Sequence, residues 1–185
     1  MVTYAGAPGG ERIMGGFIFV LGRARSGKSR YAAELAETFK GKVTFIATAD
    51  PYDAEMKDRI ARHQAARPKE WNLVEENKNV DLVLSKIYGV NEIVLIDCLG
   101  LLVSNLIGAG RSDKEIEEKI GKIVGIILKK DFNTILVSND VGGGIVPANP
   151  LARRFRDVIG LANQRCAESA DKVIVMHAGI PVVIK

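Results

Sequence analysis

The stretch Phe17-Ile-Phe-Val-Leu-Gly-Arg-Ala-Arg-Ser-Gly-Lys-Ser29 decides the fold. It opens on apolar, β-prone residues and runs directly into Gly22-Arg-Ala-Arg-Ser-Gly27-Lys28-Ser29, which meets GxxxxGK[ST] at every fixed position. After it, Tyr31, Leu35 and Phe39 recur at helical spacing from Lys28 to Phe39, and Gly41 marks the stop. A buried strand, a glycine-rich turn and a helix in that order form a phosphate loop. Glycines let the backbone close around phosphates without Cβ clashes, so successive N–H groups of Gly22, Arg23, Ala24, Arg25, Ser26, Gly27, Lys28 and Ser29 point inward. The helix start adds the positive end of its dipole. Lys28 reaches the β and γ phosphates, and the Ser29 hydroxyl is placed to ligate Mg²⁺.

Working outward, apolar runs alternate with helical patterns. Strands are expected at Phe17–Leu21, Val43–Ile46, Ile93–Ile96, Thr134–Val137 and Val173–Met176, with a last one at Val182–Ile184 after Gly179 and Pro181. Helices are expected at Lys28–Phe39, Ala54–Ala66, Lys114–Lys129 and Leu151–Ala170. Several strands are apolar without alternation, as strands covered on both faces are. The expected class is α/β: a P-loop NTPase-like, parallel or mostly parallel sheet with helices on both faces. Ile93-Val-Leu-Ile-Asp97 ends in a carboxylate, and at that edge an Asp holds the Mg²⁺ shell of a bound triphosphate.

The chain has 185 residues, 47% of them hydrophobic and 26% charged, which suits one globular catalytic domain over residues 17–185. Residues 1–16, glycine-rich, are expected to be a disordered extension, with Met14 an alternative start. A formal charge of +4 is modest and spread out. The one basic cluster, Lys57, Arg59, Arg62, Arg67 and Lys69, suits a small phosphorylated ligand better than the basic stripe of a nucleic-acid binder. Cys98 and Cys166 have no metal or CxxC spacing, so free thiols in the cytoplasm are expected. No signal-peptide pattern or membrane-span-length apolar run is present.

The two histidines read differently. His177 follows a strand and reads as structural or incidental. His63 shares a helix face with Arg59 and Arg67, near Met56 and Ile60. Spacing alone leaves two readings: a packed boundary residue, or a nucleophile among cations that attacks phosphorus and holds a phosphoramidate. Neighbouring arginines would stabilise phosphate oxygens and keep the ring neutral.

The ordered set of motifs resembles the bifunctional adenosylcobinamide kinase/adenosylcobinamide-phosphate guanylyltransferases of cobalamin biosynthesis. It includes the phosphate loop, Ile46-Ala-Thr-Ala49, Glu55-Met56, Arg59-Ile-Ala-Arg-His63, Arg67-Pro68, Asp97-Cys-Leu and Ser104-Asn-Leu106. It continues with Val137-Ser-Asn-Asp-Val-Gly-Gly-Gly-Ile-Val-Pro147, Arg153-Arg-Phe-Arg-Asp157, Asn163-Gln-Arg165 and Gly179-Ile-Pro181. The resemblance implies phosphorylation of adenosylcobinamide by ATP or GTP. It then implies GMP transfer from GTP to adenosylcobinamide phosphate through a guanylyl-histidine, matched here by His63. It places nucleotide contacts at Gly22 through Ser29, at Ala47, Thr48 and Ala49, at Gln64, Ala65, Ala66 and Arg67, and at Glu75 and Asp97. It also implies a homotrimer.

The chain departs from many relatives at Arg23, where they carry a second glycine, and at Gly100 and Leu102, where they carry Thr and Trp. These positions bear on nucleotide fit and the kinase step. Lys28, Ser29 and His63 are untouched, so guanylyl transfer is expected to survive. Two rival readings are a P-loop kinase of another metabolite, with no covalent adduct, and a regulatory nucleotide-binding module with no small-molecule acceptor. The Gly142–Gly144 run is either a lid or a plain turn.

Overall fold

The computed structural model describes residues 16–51, 54, 57, 58, 68–89 and 92–185. Along the chain run β1 (Phe17–Gly22), α1 (Lys28–Thr38), β2 (Lys42–Ala47), β3 (Asn72–Glu75), α2 (Val80–Lys86), β4 (Glu92–Asp97) and α3 (Leu99–Gly108). They are followed by α4 (Asp113–Ile127), β5 (Asn133–Asn139), α5 (Pro150–Ser169), β6 (Lys172–His177) and β7 (Ile180–Val183). Residues 1–15 of the expected extension lie outside the described residues. Gly16 is buried, and its N–H donates to Asn133 Oδ1 at 3.1 Å. Of the helix expected over 54–66, Ala54, Lys57 and Asp58 are helical, and the rest lies outside the described residues.

The strands form one sheet in the order β3-β2-β4-β5-β1-β6-β7. Every pairing is parallel except β6 with β7, where Met176 faces Pro181. The mostly parallel sheet matches the expectation. The interior strand β1, beside the central β5, buries Phe17, Phe19 and Val20 completely, as a strand covered on both faces must. Ile18 and Val20 pack with Ala32 and Ala36 of α1, and small residues there let the helix lie close to the sheet. The opposite face carries Phe17, Phe19, Ile96 and Leu136 under α3, α4 and α5. The phosphate loop therefore leaves the middle of the sheet with packed layers on either side.

Three elements were not expected from the sequence. β3 is a four-residue edge strand whose Asn72, Leu73 and Glu75 are exposed, so it carries little apolar signal. α2 spans only seven residues. α3 buries Leu99, Gly100, Leu102, Val103, Leu106 and Ile107 on one side, but its other side, Leu101, Ser104, Asn105 and Gly108, carries no charge, so the sequence shows little amphipathic contrast. The final strand begins at Ile180 rather than Val182. Its Pro181 is tolerated because β7 is an edge.

Candidate nucleotide site

The loop from Gly22 to Ser29 is shaped by close contacts that only particular residues allow. A β-carbon at Gly22 would lie 2.4 Å from Ser26 Oγ and 3.0 Å from Met176 Cβ, so the position must be glycine. Gly27 holds φ 88°, the left-handed region that favours glycine, while Arg25 adopts φ 55° despite its side chain. The Arg23 carbonyl accepts from Ser26 N at 3.2 Å and from Lys28 Nζ at 3.3 Å. Lys28 is only 7% exposed, lying across the mouth of its own loop. Ser26 O accepts from Gly179 N at 3.1 Å, and Gly22 O from Asp140 N at 3.0 Å, so two neighbouring turns hold the loop.

Next to the loop, Asp97 ends β4 and pairs in register with Ala47 and Val137. Ser29 lies in the first turn of α1, half-buried. Among the described residues no group of three His, Cys, Asp or Glu side chains could hold a metal.

Thr48 is the strut beneath this carboxylate. It is fully buried, its hydroxyl donates to Cys98 O at 2.7 Å, and the same oxygen accepts from Cys98 N at 2.7 Å. Its N–H donates to Asp97 O at 3.1 Å. Its carbonyl accepts from Asn105 Nδ2 at 2.8 Å, and that amide also reaches Asn77 O at 3.0 Å. Thr48 thus engages all its polar groups inside the chain, leaving Ala47 and Ala49 as the half-buried flanks of the strand tip. Beyond it a cleft of about 320 Å³ opens among Asp50, Lys78, Ser104, Asn105, Gly108 and Ala109. Glu75 ends β3 on the same edge, exposed and in register with Ala47.

The structure therefore gathers Gly22 through Ser29, Ala47 through Ala49, Glu75 and Asp97 at one edge of the sheet. His63, Gln64, Ala65, Ala66 and Arg67 lie outside the described residues. His177 is exposed at the end of β6. Burial pushes the Cys98 thiol up to about 12, the Asp97 charge adding to the rise against the smaller pull of nearby N–H groups and Lys28. Burial likewise pushes Cys166 up to about 12. Neither thiol is a nucleophile at neutral pH. The supporting roles of Thr48 and Asn105 were not readable from the sequence, because their partners come from distant segments; the signals were their places in the Ile46-Ala-Thr-Ala49 and Ser104-Asn-Leu106 motifs, the first of which implied a nucleotide contact at Thr48, whose side chain is instead spent on Cys98.

The family model of CobU, cobinamide kinase / cobinamide phosphate guanyltransferase, matches residues 18–184. The chain belongs to this enzyme family. It is 37% identical over 180 residues to the bifunctional adenosylcobalamin biosynthesis protein CobU of Escherichia coli, covering 91% of this chain and 99% of that one. With the corresponding protein CobP of Pseudomonas aeruginosa it shares 40% identity over 172 residues, 90% of this chain and 95% of that one. In shape it is similar to a KaiC-like protein of Pyrococcus horikoshii, with a TM-score of 0.51 and 19% identity over 88% of this chain and 71% of that one. That likeness shows the fold alone. Among the described residues of this CobU-family chain, no helix is long and apolar enough to cross a membrane.

Proposed function

We propose that the chain phosphorylates adenosylcobinamide with ATP or GTP and then transfers GMP from GTP to the product, releasing pyrophosphate and giving adenosylcobinamide-GDP. The observation that carries this reading is a phosphate loop closed by Lys28 beside Asp97, within a chain similar to bifunctional CobU and CobP proteins almost end to end. The loop amides and Lys28 bind the polyphosphate, and the Lys28 ammonium offsets charge on the leaving phosphates. Ser29 and Asp97 would hold Mg²⁺, which neutralises charge between phosphate oxygens when bound. His63 attacks the α-phosphorus of GTP, and the bond to the bridging oxygen breaks with its electron pair leaving on pyrophosphate. The phosphate oxygen of the acceptor then displaces GMP from the imidazole. The motif likeness supports His63, Gln64, Ala65, Ala66 and Arg67 in this role. It also supports a cytoplasmic homotrimer.

The test uses GTP labelled at the α-phosphate. Acid-labile, base-stable label is expected on the wild-type protein and absent from His63→Ala. Equal labelling of the two would remove His63 from the mechanism. The Lys28→Ala variant should lose both transfers, since both need the same phosphate grip.

A further inference from the structure

Two of the strand tips at the centre of the sheet belong to the phosphate loop and to Asp97. Between them lies β5. Its last residue, Asn139, pairs in register with Gly22 on one side, while Val137, two residues earlier, pairs with Asp97 on the other. At about 3.3 Å per residue, Asn139 stands roughly 7 Å beyond Asp97 along the strands, level with the first glycine of the loop. It shares pleat parity with Ile135 and Val137, which lie on the α1 side of the sheet, as Asp97 does with Ile93 and Leu95.

Asn139 is held by everything except its own side-chain polar atoms. Its carbonyl accepts from Asn163 Nδ2 at 3.0 Å, and the fully buried Ser138 hydroxyl donates to Asn163 Oδ1 at 2.6 Å. Its side chain lies over Gly100, where a β-carbon would fall 3.0 Å from Asn139 Nδ2 and 3.5 Å from its Cγ. Among the described residues its carboxamide makes no hydrogen bond. A fixed, half-buried amide with two unmatched donors is costly unless a ligand or water meets it. The position, between a phosphate grip and a metal-type carboxylate, selects the ligand.

We infer that Asn139 contacts the terminal phosphoryl group of the bound triphosphate, its Nδ2–H donating to a γ-phosphate oxygen, with Ser138 and Asn163 as positioning residues. The inference rests on the phosphoryl transfer proposed above. In that step the bond from the γ-phosphorus to the β–γ bridging oxygen breaks, its electrons leaving on the diphosphate. A bond to the acceptor hydroxyl oxygen forms, and the hydroxyl proton passes to water. Asn139 stays neutral and exchanges no proton. Its donor stabilises oxygens whose charge must be carried through the transition state. The contact lies at the γ end because Asn139 projects past Asp97, toward the side from which an acceptor must approach the transferable group.

The experiment compares wild type, Asn139→Ala and the isosteric Asn139→Asp, using the full chain with thermal melts to verify folding. Binding of fluorescent GTP and GDP analogues needs no acceptor, and the preference for triphosphate over diphosphate should fall roughly tenfold in Asn139→Ala, and further in Asn139→Asp, whose carboxylate also repels the phosphate. The kinase kcat with adenosylcobinamide should fall about 10²-fold, with little change in acceptor KM. Incorporation of α-labelled GMP into the protein should lose much less. An unchanged triphosphate preference, or an equal loss of kinase and guanylyl labelling, would overturn the inference. If Asn139→Ala fails to fold, Asn139→Leu decides, since it fills nearly the same space without donors or charge. If the wild type does not phosphorylate adenosylcobinamide but the triphosphate preference still falls, the proposed reaction fails and the Asn139 contact stands.

Discussion

Replacing Thr48 by valine separates the architecture of the site from its chemistry. Valine keeps the branched shape, so the perturbation is the loss of one hydroxyl. That hydroxyl meets both Cys98 N and Cys98 O at 2.7 Å inside a fully buried site. Without it, the Cys98 N–H is stranded where water does not reach, while Cys98 O keeps the Leu102 N–H at 3.2 Å. A stranded buried donor costs ~1–3 kcal/mol, so the variant should lose about that much. A domain is stable by only about 5–15 kcal/mol in all. Thr48→Ser is the control, because it keeps the hydroxyl and removes one buried methyl, at about 1 kcal/mol. Urea unfolding without ligand reads the difference as a shift in midpoint at constant slope. The stranded N–H adjoins Asp97, so the Mg²⁺ concentration for half-maximal kinase activity should also rise in Thr48→Val and stay near wild type in Thr48→Ser. Equal destabilisation of the two variants would refute the reasoning. So would a Thr48→Val protein within about 1 kcal/mol of wild type.

Two further outcomes follow from local geometry. Gly22→Ala puts a β-carbon 2.4 Å from Ser26 Oγ; relief of that overpacking opens the loop, so affinity for a fluorescent GTP analogue should fall by about tenfold or more, and unchanged binding would contradict the packing. At the start of α4, the Ser112 N–H and hydroxyl hold the Glu115 carboxyl below its ordinary range, with Arg111 adding to the effect. A lowered folded value gives stability that is present above the unfolded value, near pH ~4.3, and is lost as pH falls through the folded one. Melts of wild type and Glu115→Gln from neutral to acid should therefore differ at neutral pH and converge on acidification, and a constant difference would remove the carboxylate as the cause.

The parts of this protein legible in its sequence are those whose causes are local. Gly22, Gly27, Lys28 and Ser29 sit within one turn of chain, and the apolar run before them supplies a strand that must be buried, so neighbours along the chain announce both loop and fold. Asp97 announces itself in the same way, as a carboxylate closing an apolar run. α3 gave no such notice: in Leu99-Gly-Leu-Leu-Val-Ser-Asn-Leu-Ile-Gly108 the unburied side holds a leucine and a glycine with Ser104 and Asn105, and a helix with no charged face gives a weak period to read. β3 failed for the opposite reason, being short and largely exposed. The supports of the site were hidden more deeply still. Thr48 meets Cys98 across 50 residues of chain, and Asn163 meets Asn139 across 24. Nothing at either end of such a pair marks the other, because a threonine or asparagine is equally at home in a turn or a cap. Groups that grip a ligand can be read from backbone chemistry and spacing. Groups that hold the grippers in place become visible only when the sheet order sets β4 between β2 and β5, and β5 beside β1. Substitutions such as Gly100 and Arg23 belong to this second kind. Gly100 matters through the carboxamide lying over it, and Arg23 through Gly143, where a β-carbon would sit 2.5 Å from its guanidinium. Reading either one as a change in ligand contact alone would miss the neighbour whose position it sets.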